Sequence, residues 1–205
     1  MGHCSSTLAD GSVIVTGGET VSNRFGTRLT EVFNATTLRW EKRADMQQGR
    51  FYHVCTSVWL ETNPSVEQND GIIAQQVQPY HRLGLVVAGG RMLNTLHIFI
   101  NPGAYRDKEH VRHSISSVEL YVPWNNTWVN LPLLPFVELN YRMVATQVMS
   151  LSMYGLSKFC LLGGDYQVSK NAAIGTNGVW ELLWNDTSRS YSWEEGMDIR
   201  LRKLS

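Results

Sequence analysis

Apolar positions along this chain fall in short runs of strand length. One run, Leu83-Gly-Leu-Val-Val-Ala-Gly-Gly90, ends on paired glycines. The same ending occurs in Val13-Ile-Val-Thr-Gly-Gly18 and in Phe159-Cys-Leu-Leu-Gly-Gly164. Gly18, Gly90 and Gly164 lie 72 and 74 residues apart, so the chain carries an internal repeat. A small-residue segment precedes each run: His3-Cys-Ser-Ser-Thr-Leu8, His53-Val-Cys-Thr-Ser-Val58 and Met143-Val-Ala-Thr-Gln-Val148. Small and β-branched residues suit a crowded, pleated strand.

The segment downstream of each Gly-Gly recurs as well. A polar stretch leads to a short apolar segment, Glu31-Val-Phe33, Ser117-Val-Glu-Leu-Tyr121 or Val179-Trp-Glu-Leu-Leu-Trp184, and then past a turn to Trp40, Trp128 or Trp193. Phe33 to Trp40 and Tyr121 to Trp128 are each seven positions. In the third unit Leu183 or Trp184 stands where the aromatic is expected. Each unit therefore predicts four strands, A to D. They are placed at 3–8, 13–17, 29–34 and 38–43; at 52–60, 83–88, 116–122 and 127–131; and at 142–151, 158–162, 178–184 and 191–195. Helix is expected to be nearly absent. The joints carry turn chemistry, as in Ala9-Asp-Gly-Ser12 and Pro123-Trp-Asn-Asn-Thr127. A four-stranded antiparallel sheet repeated about an axis is a β-propeller blade. The repeat glycines Gly17, Gly18, Gly89, Gly90, Gly163 and Gly164 are expected at backbone angles or close approaches that a side chain would obstruct. Trp40, Tyr121, Trp128 and Trp193 are expected to pack between blades, and Trp40 and Trp128 to be largely buried.

This pattern resembles the kelch repeat: an apolar strand, Gly-Gly, an aromatic, and a Trp seven positions on. The resemblance covers essentially the whole chain. Kelch units run to about 50 residues, and these are longer, so the extra length is assigned to insertions. Blade 1 is placed at 1–48, blade 2 at 49–138 and blade 3 at 139–195, with 196–205 leading into a further blade. In blade 2 the A–B insertion spans about 61–81 and the B–C insertion 91–115, where Leu93 to Ile100 reads as an extra strand or an apolar cover. The third B–C segment, Asp165 to Asn177, reads as a polar loop. Propellers close with roughly four to eight blades. Three make an all-β, kelch-type propeller that is incomplete, to be closed by further blades or by self-association.

Composition narrows the function classes. Lys and Arg total 18 and Asp and Glu total 18, and zero net charge argues against a nucleic-acid binder driven by phosphate neutralisation. No apolar stretch reaches membrane-span length, so neither nucleic acid nor membrane is an expected partner. The N-terminus lacks the apolar core of a leader, which slightly favours an intracellular chain. Three cysteines, an odd number, disfavour a complete disulfide framework, and Cys4, Cys55 and Cys160 read as small buried hydrophobes. Asn34-Ala-Thr36, Asn125-Asn-Thr127 and Asn185-Asp-Thr187 fit the N-glycosylation sequon, all at C–D turns.

In an antiparallel meander the B–C loops and the D-to-A links leave from one end. That end collects Arg24, Arg28, Arg91, Arg106 and Arg112, with Lys108, Lys170, Arg50 and Arg142, while the A–B insertion carries Glu61, Glu67 and Asp70. The kelch resemblance implies partner binding on the B–C/D–A face. Arginine forks suit a protein partner that presents carboxylates, such as an acidic peptide. Glu109, His110 and His113 would suit zinc on a helix, but nothing supports a helix or supplies a second ligand pair there. A solvated, partner-facing loop is expected instead. No catalytic, metal or cofactor residue is assigned. The expected function is a non-catalytic interaction module. The alternative is part of a galactose-oxidase-like copper enzyme, for which Tyr105, Tyr166 and His110 are the available side chains. Fold alone does not decide between them.

Overall fold

The computed structural model describes residues 1–20, 25–62, 80–96, 109–135, 139–140, 144–149, 157–163, 165–169, 172–175, 178–185 and 190–196. These residues are all-β, with no helix among them. The first sheet runs in chain order through β1 (Cys4–Thr7), β2 (Val13–Thr16), β3 (Thr30–Asn34) and β4 (Arg39–Lys42). The second contains β5 (Val54–Thr62) and β6 (Tyr80–Ala88). After them comes a two-stranded hairpin, β7 (Arg91–Leu96) with β8 (Glu109–Ser114). The second sheet then finishes with β9 (Val118–Val122) and β10 (Thr127–Leu131). A short β11 (Leu139–Asn140) precedes the third sheet, which begins with β12 (Val144–Met149) and β13 (Ser157–Leu162). β14 (Asp165–Ser169) and β15 (Ala172–Gly175) join β11 in a three-stranded sheet. β16 (Val179–Asn185) and β17 (Ser190–Glu195) complete the third sheet, and every pairing is antiparallel.

The register within each sheet agrees with the alignment of the three units. Cys4 pairs with Thr16, Val54 with Ala88 and Val144 with Leu162, each partner being the residue just before Gly-Gly. Phe33 lies opposite Trp40 and Tyr121 opposite Trp128, with ring centroids 5.5 and 5.1 Å apart. In the third sheet the residue opposite Trp193 is Leu182, not Leu183 or Trp184. Four residues join the last two strands in each four-stranded sheet, but β16 is two residues longer than β3 and β9, so the pair sits further from the turn. Trp193 meets Phe159 instead, at 6.0 Å.

Both longer B–C segments contain strands: β7 overlaps Leu93 to Ile100, which reads as an extra strand or an apolar cover, whereas Asp165 to Asn177 reads as a loop. Arg91–Leu96 and Glu109–Ser114 pair with each other, and Asp165–Ser169 pairs with Ala172–Gly175. Backbone pairing makes them strands despite their polar composition. Glu109, His110 and His113 therefore lie on a strand, not a helix.

The second sheet is the middle layer. Leu85, Val87, Tyr121 and Trp128 form a core with Ile14, Val32 and Met46 of the first unit. The alternate positions Val58, Val86, Ala88, Val118 and Leu120 form a second core with Phe159, Leu161 and Leu182 of the third sheet. This is why Leu85-Val-Val-Ala88 is apolar without alternation: each face of β6 meets a different sheet. β6 meets the first sheet through one face and the third through the other.

Trp40 departs from expectation. Trp128 is 8% exposed between two sheets, but Trp40 is 57% exposed. It holds the equivalent position on the first sheet, on the face turned away from the second, and no sheet among the described residues covers it.

The cysteine reading is corrected. Cys4 of β1 and Cys55 of β5 form a disulfide, and Cys160 is a buried cysteine outside it. The partners are 51 residues apart in sequence. Packing of β1 against β5 brings them together, which cysteine counting does not reveal. Ser6 and Ser57, two positions further along each strand, are hydrogen-bonded at 2.7 Å.

Candidate functional site

The Gly-Gly pairs mark the end of the molecule where the B–C segments meet the D–A links. Gly17 and Gly18 have φ of 62° and 96°, and Gly89 and Gly90 have 64° and 94°. A Cβ on Gly17 would come within 2.6 Å of the Arg50 carbonyl oxygen and the His53 ring, and one on Gly90 within 2.8 Å of the His53 Cβ. The glycines are thus required by the chain that crosses from one sheet to the next. That link is fastened by backbone pairs: Gly18 N–H to Arg50 O at 2.8 Å, and reciprocal bonds of 2.9 and 2.8 Å between Phe51 and Arg91. Bridges Thr27–Arg50 and Phe51–Arg91 tie both B–C segments to the one link. Gly163 also has a positive φ, of 67°, whereas Gly164 lies outside the described residues.

At the centre of this end is a buried clamp. Arg50 and Glu119 side chains are both 0% exposed and form an ion pair at 2.5 Å. Arg50 Nη1 also donates to the Gly89 and Ser117 carbonyls, each at 2.9 Å, and Nη2 donates to Ser117 Oγ at 2.8 Å. Glu119 accepts the Gln47 and Gln48 N–H groups at 2.7 and 3.2 Å. Burial lowers the guanidinium pKa, while the Glu119 charge opposes that shift. Sequence reading placed Arg50 among the loop cations, and the structure corrects this to a structural residue. One signal was available: Glu119 is a carboxylate inside the apolar run Val118-Glu-Leu-Tyr121, and such a group requires a partner.

His53 lies beside the clamp, with Nε2 2.9 Å from Thr16 Oγ1. Burial pushes its imidazole down from 6.5 to about 3, and the charges of Arg50 and His3 add to the shift. The unfolded chain binds a proton here below its ordinary pKa, and the folded chain does not until the depressed one. Stability is therefore fully present above pH 6.5 and is lost as pH falls from 6.5 towards about 3. The expected slope is about 1.4 kcal/mol per pH unit. Urea midpoints at pH 7 and pH 5 measure it, and His53→Gln is expected to flatten that limb. An equally steep acid loss in the variant would assign it to other groups.

The predicted partner-face residues divide as follows. Arg28 is exposed, next to the link, where its carbonyl accepts the Met46 N–H at 2.8 Å. Arg91 is half-buried at the start of β7, and Arg112 sits on β8 opposite Leu93. These three share the Gly-Gly end. Arg24 and Arg106 lie outside the described residues, as do Lys108, Lys170 and Arg142. On the acidic side, Glu61 lies near the far end of β5, opposite His81, while Glu67 and Asp70 are outside the described residues. For the copper alternative, Tyr166 is on β14, His110 is on β8 in a different sheet, and Tyr105 is outside the described residues. Among the described residues, no three His, Cys, Asp or Glu side chains converge. An apolar cavity of ≈ 50 Å³ lies between the second and third sheets, lined by Val58, Leu120, Phe159 and Tyr191 among others. It is far below the volume of a ligand pocket.

The chain matches no known family model and no curated protein.

Proposed function

We propose that this chain is a segment of a kelch-type β-propeller, serving as a non-catalytic module that binds an acidic protein segment on its B–C/D–A face. The observation that carries the propeller reading is a repeated inter-sheet bond. The Trp128 indole N–H donates to the Ala44 carbonyl at 2.8 Å, and the Trp193 indole N–H to the Pro132 carbonyl at 3.0 Å. Ala44 lies four positions beyond Trp40 and Pro132 four beyond Trp128. Each tryptophan is thus stapled to the same point of the preceding unit, as repeat-on-repeat stacking requires. Trp40 lacks a preceding unit among the described residues, and its exposed ring marks where a further blade would pack.

The binding reading rests on the fastening of both B–C segments to one link, which presents Arg28, Arg91 and Arg112 at one end. Loops held by a rigid scaffold are where binding residues concentrate. The test is charge reversal at Arg24, Arg28 and Arg112 together. Affinity for Glu- and Asp-rich peptides is expected to fall at least about tenfold, which is about 1.4 kcal/mol, with the thermal melt unchanged. Undiminished peptide binding by the triple variant would rule this face out.

A further inference from the structure

Two observations on different parts of the molecule point to the same chemistry. The first is the Cys4–Cys55 disulfide between the first strands of neighbouring sheets. Its formation removes two electrons and two protons from the thiols, which pass to a disulfide-bearing oxidant by exchange. Such bonds persist in oxidising compartments and are rare in reducing ones.

The second is the difference between two sequons. At the first C–D turn, both ends of the Asn34 amide are engaged. Its nitrogen donates to Glu41 Oε1 at 2.9 Å, and its oxygen accepts from the Thr36 and Thr37 N–H groups at 2.9 and 3.0 Å. At the second turn the structural work falls to Asn126. Its Oδ1 accepts the Ala44 N–H and the Tyr121 hydroxyl, each at 2.9 Å. Asn126 takes a left-handed φ of 51° to do so. Its neighbour Asn125 is exposed and carries neither of these bonds, and Thr127, the hydroxyl residue of the sequon, is exposed as well. The turn therefore presents an uncommitted amide in a tight, solvent-facing bend. The third sequon begins at Asn185, and Asp186 and Thr187 lie outside the described residues.

We propose that Asn125 is an N-glycan acceptor and that the chain matures in the oxidising, glycosylating compartment where its Cys4–Cys55 bond forms. The donor is a lipid-diphosphate-linked oligosaccharide. A bond forms between the Asn125 side-chain nitrogen and the anomeric carbon of the first sugar. The bond from that carbon to the phosphate oxygen breaks, the lipid diphosphate leaves, and the amide gives up one proton. Because Asn125 and Trp124 are exposed at the rim, a glycan there disturbs neither the Tyr121–Trp128 pair nor the staple to Ala44.

The test expresses the full chain behind a cleavable secretory leader in eukaryotic cells and maps non-reduced peptides by mass spectrometry. Peptide-N-glycosidase in heavy-oxygen water is expected to convert Asn125 to labelled Asp in most molecules, with Cys4 and Cys55 recovered as one cross-linked peptide. Asn125→Gln is expected to remove one glycan from the intact mass without moving the melt. Thr127→Val is expected to remove the same glycan, and Thr127→Ser to keep it. An unmodified Asn125 in secreted, cross-linked chain overturns the acceptor assignment. Free thiols at both cysteines in secreted chain overturn the compartment assignment. Both outcomes are independent of whether the chain binds acidic peptides.

Discussion

Arg50→Met is expected to cost about 3–5 kcal/mol of stability, because it removes one partner of a fully buried ion pair. Glu119 would remain at zero exposure with only the Gln47 and Gln48 N–H groups around it. The Gly89 and Ser117 carbonyls would lose the Nη1 that joins them. Methionine approximates the aliphatic stem, so a cavity is not the main cause. The check is urea denaturation at neutral pH of Arg50→Met, Glu119→Gln and the double variant. The double variant is expected to lose less than Arg50→Met alone, since it no longer buries an unpaired carboxylate. A loss below about 1 kcal/mol in the single variant would mean that water or another donor replaces the guanidinium. The clamp holds the link from the first sheet to the third strand of the second. Its loss is therefore also expected to loosen the proposed partner face.

Trp128→Ala and Trp40→Ala are expected to differ widely despite holding the same repeat position. Trp128 is almost fully buried, packs on Tyr121 and bonds the Ala44 carbonyl, so truncation is expected to cost about 3–5 kcal/mol. Trp40 is mostly exposed, and its truncation in the chain alone is expected to change stability by about 0.5 kcal/mol or less. Under the propeller proposal, a further blade fused before residue 1 is expected to bury Trp40 and raise its cost towards that of Trp128. Thermal or chemical denaturation of the two variants, with and without the fused blade, separates the cases. A cost for Trp40 that does not rise in the fusion would count against Trp40 as an inter-blade residue.

Much of the fold could be read from residues. The spans at 127–131 and 29–34 were legible because β-branched and aromatic residues lie beside clear turns, and strands form at Thr127–Leu131 and Thr30–Asn34. The Gly-Gly positions were legible because few residues other than glycine accept their backbone angles. The candidate site was far less legible. Arg28 and Arg50 look alike as loop arginines near a Gly, yet one is exposed and the other is at zero exposure. Which one turns inward depends on Glu119, almost seventy residues later, and on Gly26 and Gly49 letting two backbones meet.

The chain's sequence alone determined the repeat, the four main strands of each unit and their antiparallel order, because these follow from local backbone preference and short turns. Tertiary structure decided the rest. It paired Cys4 with Cys55, placed β7 against β8, and buried Trp128 while leaving Trp40 open. Each of these depends on which surfaces meet across long separations in sequence. Local pattern records that a residue is apolar, charged or a thiol, whereas stacking of one sheet on the next determines what it touches.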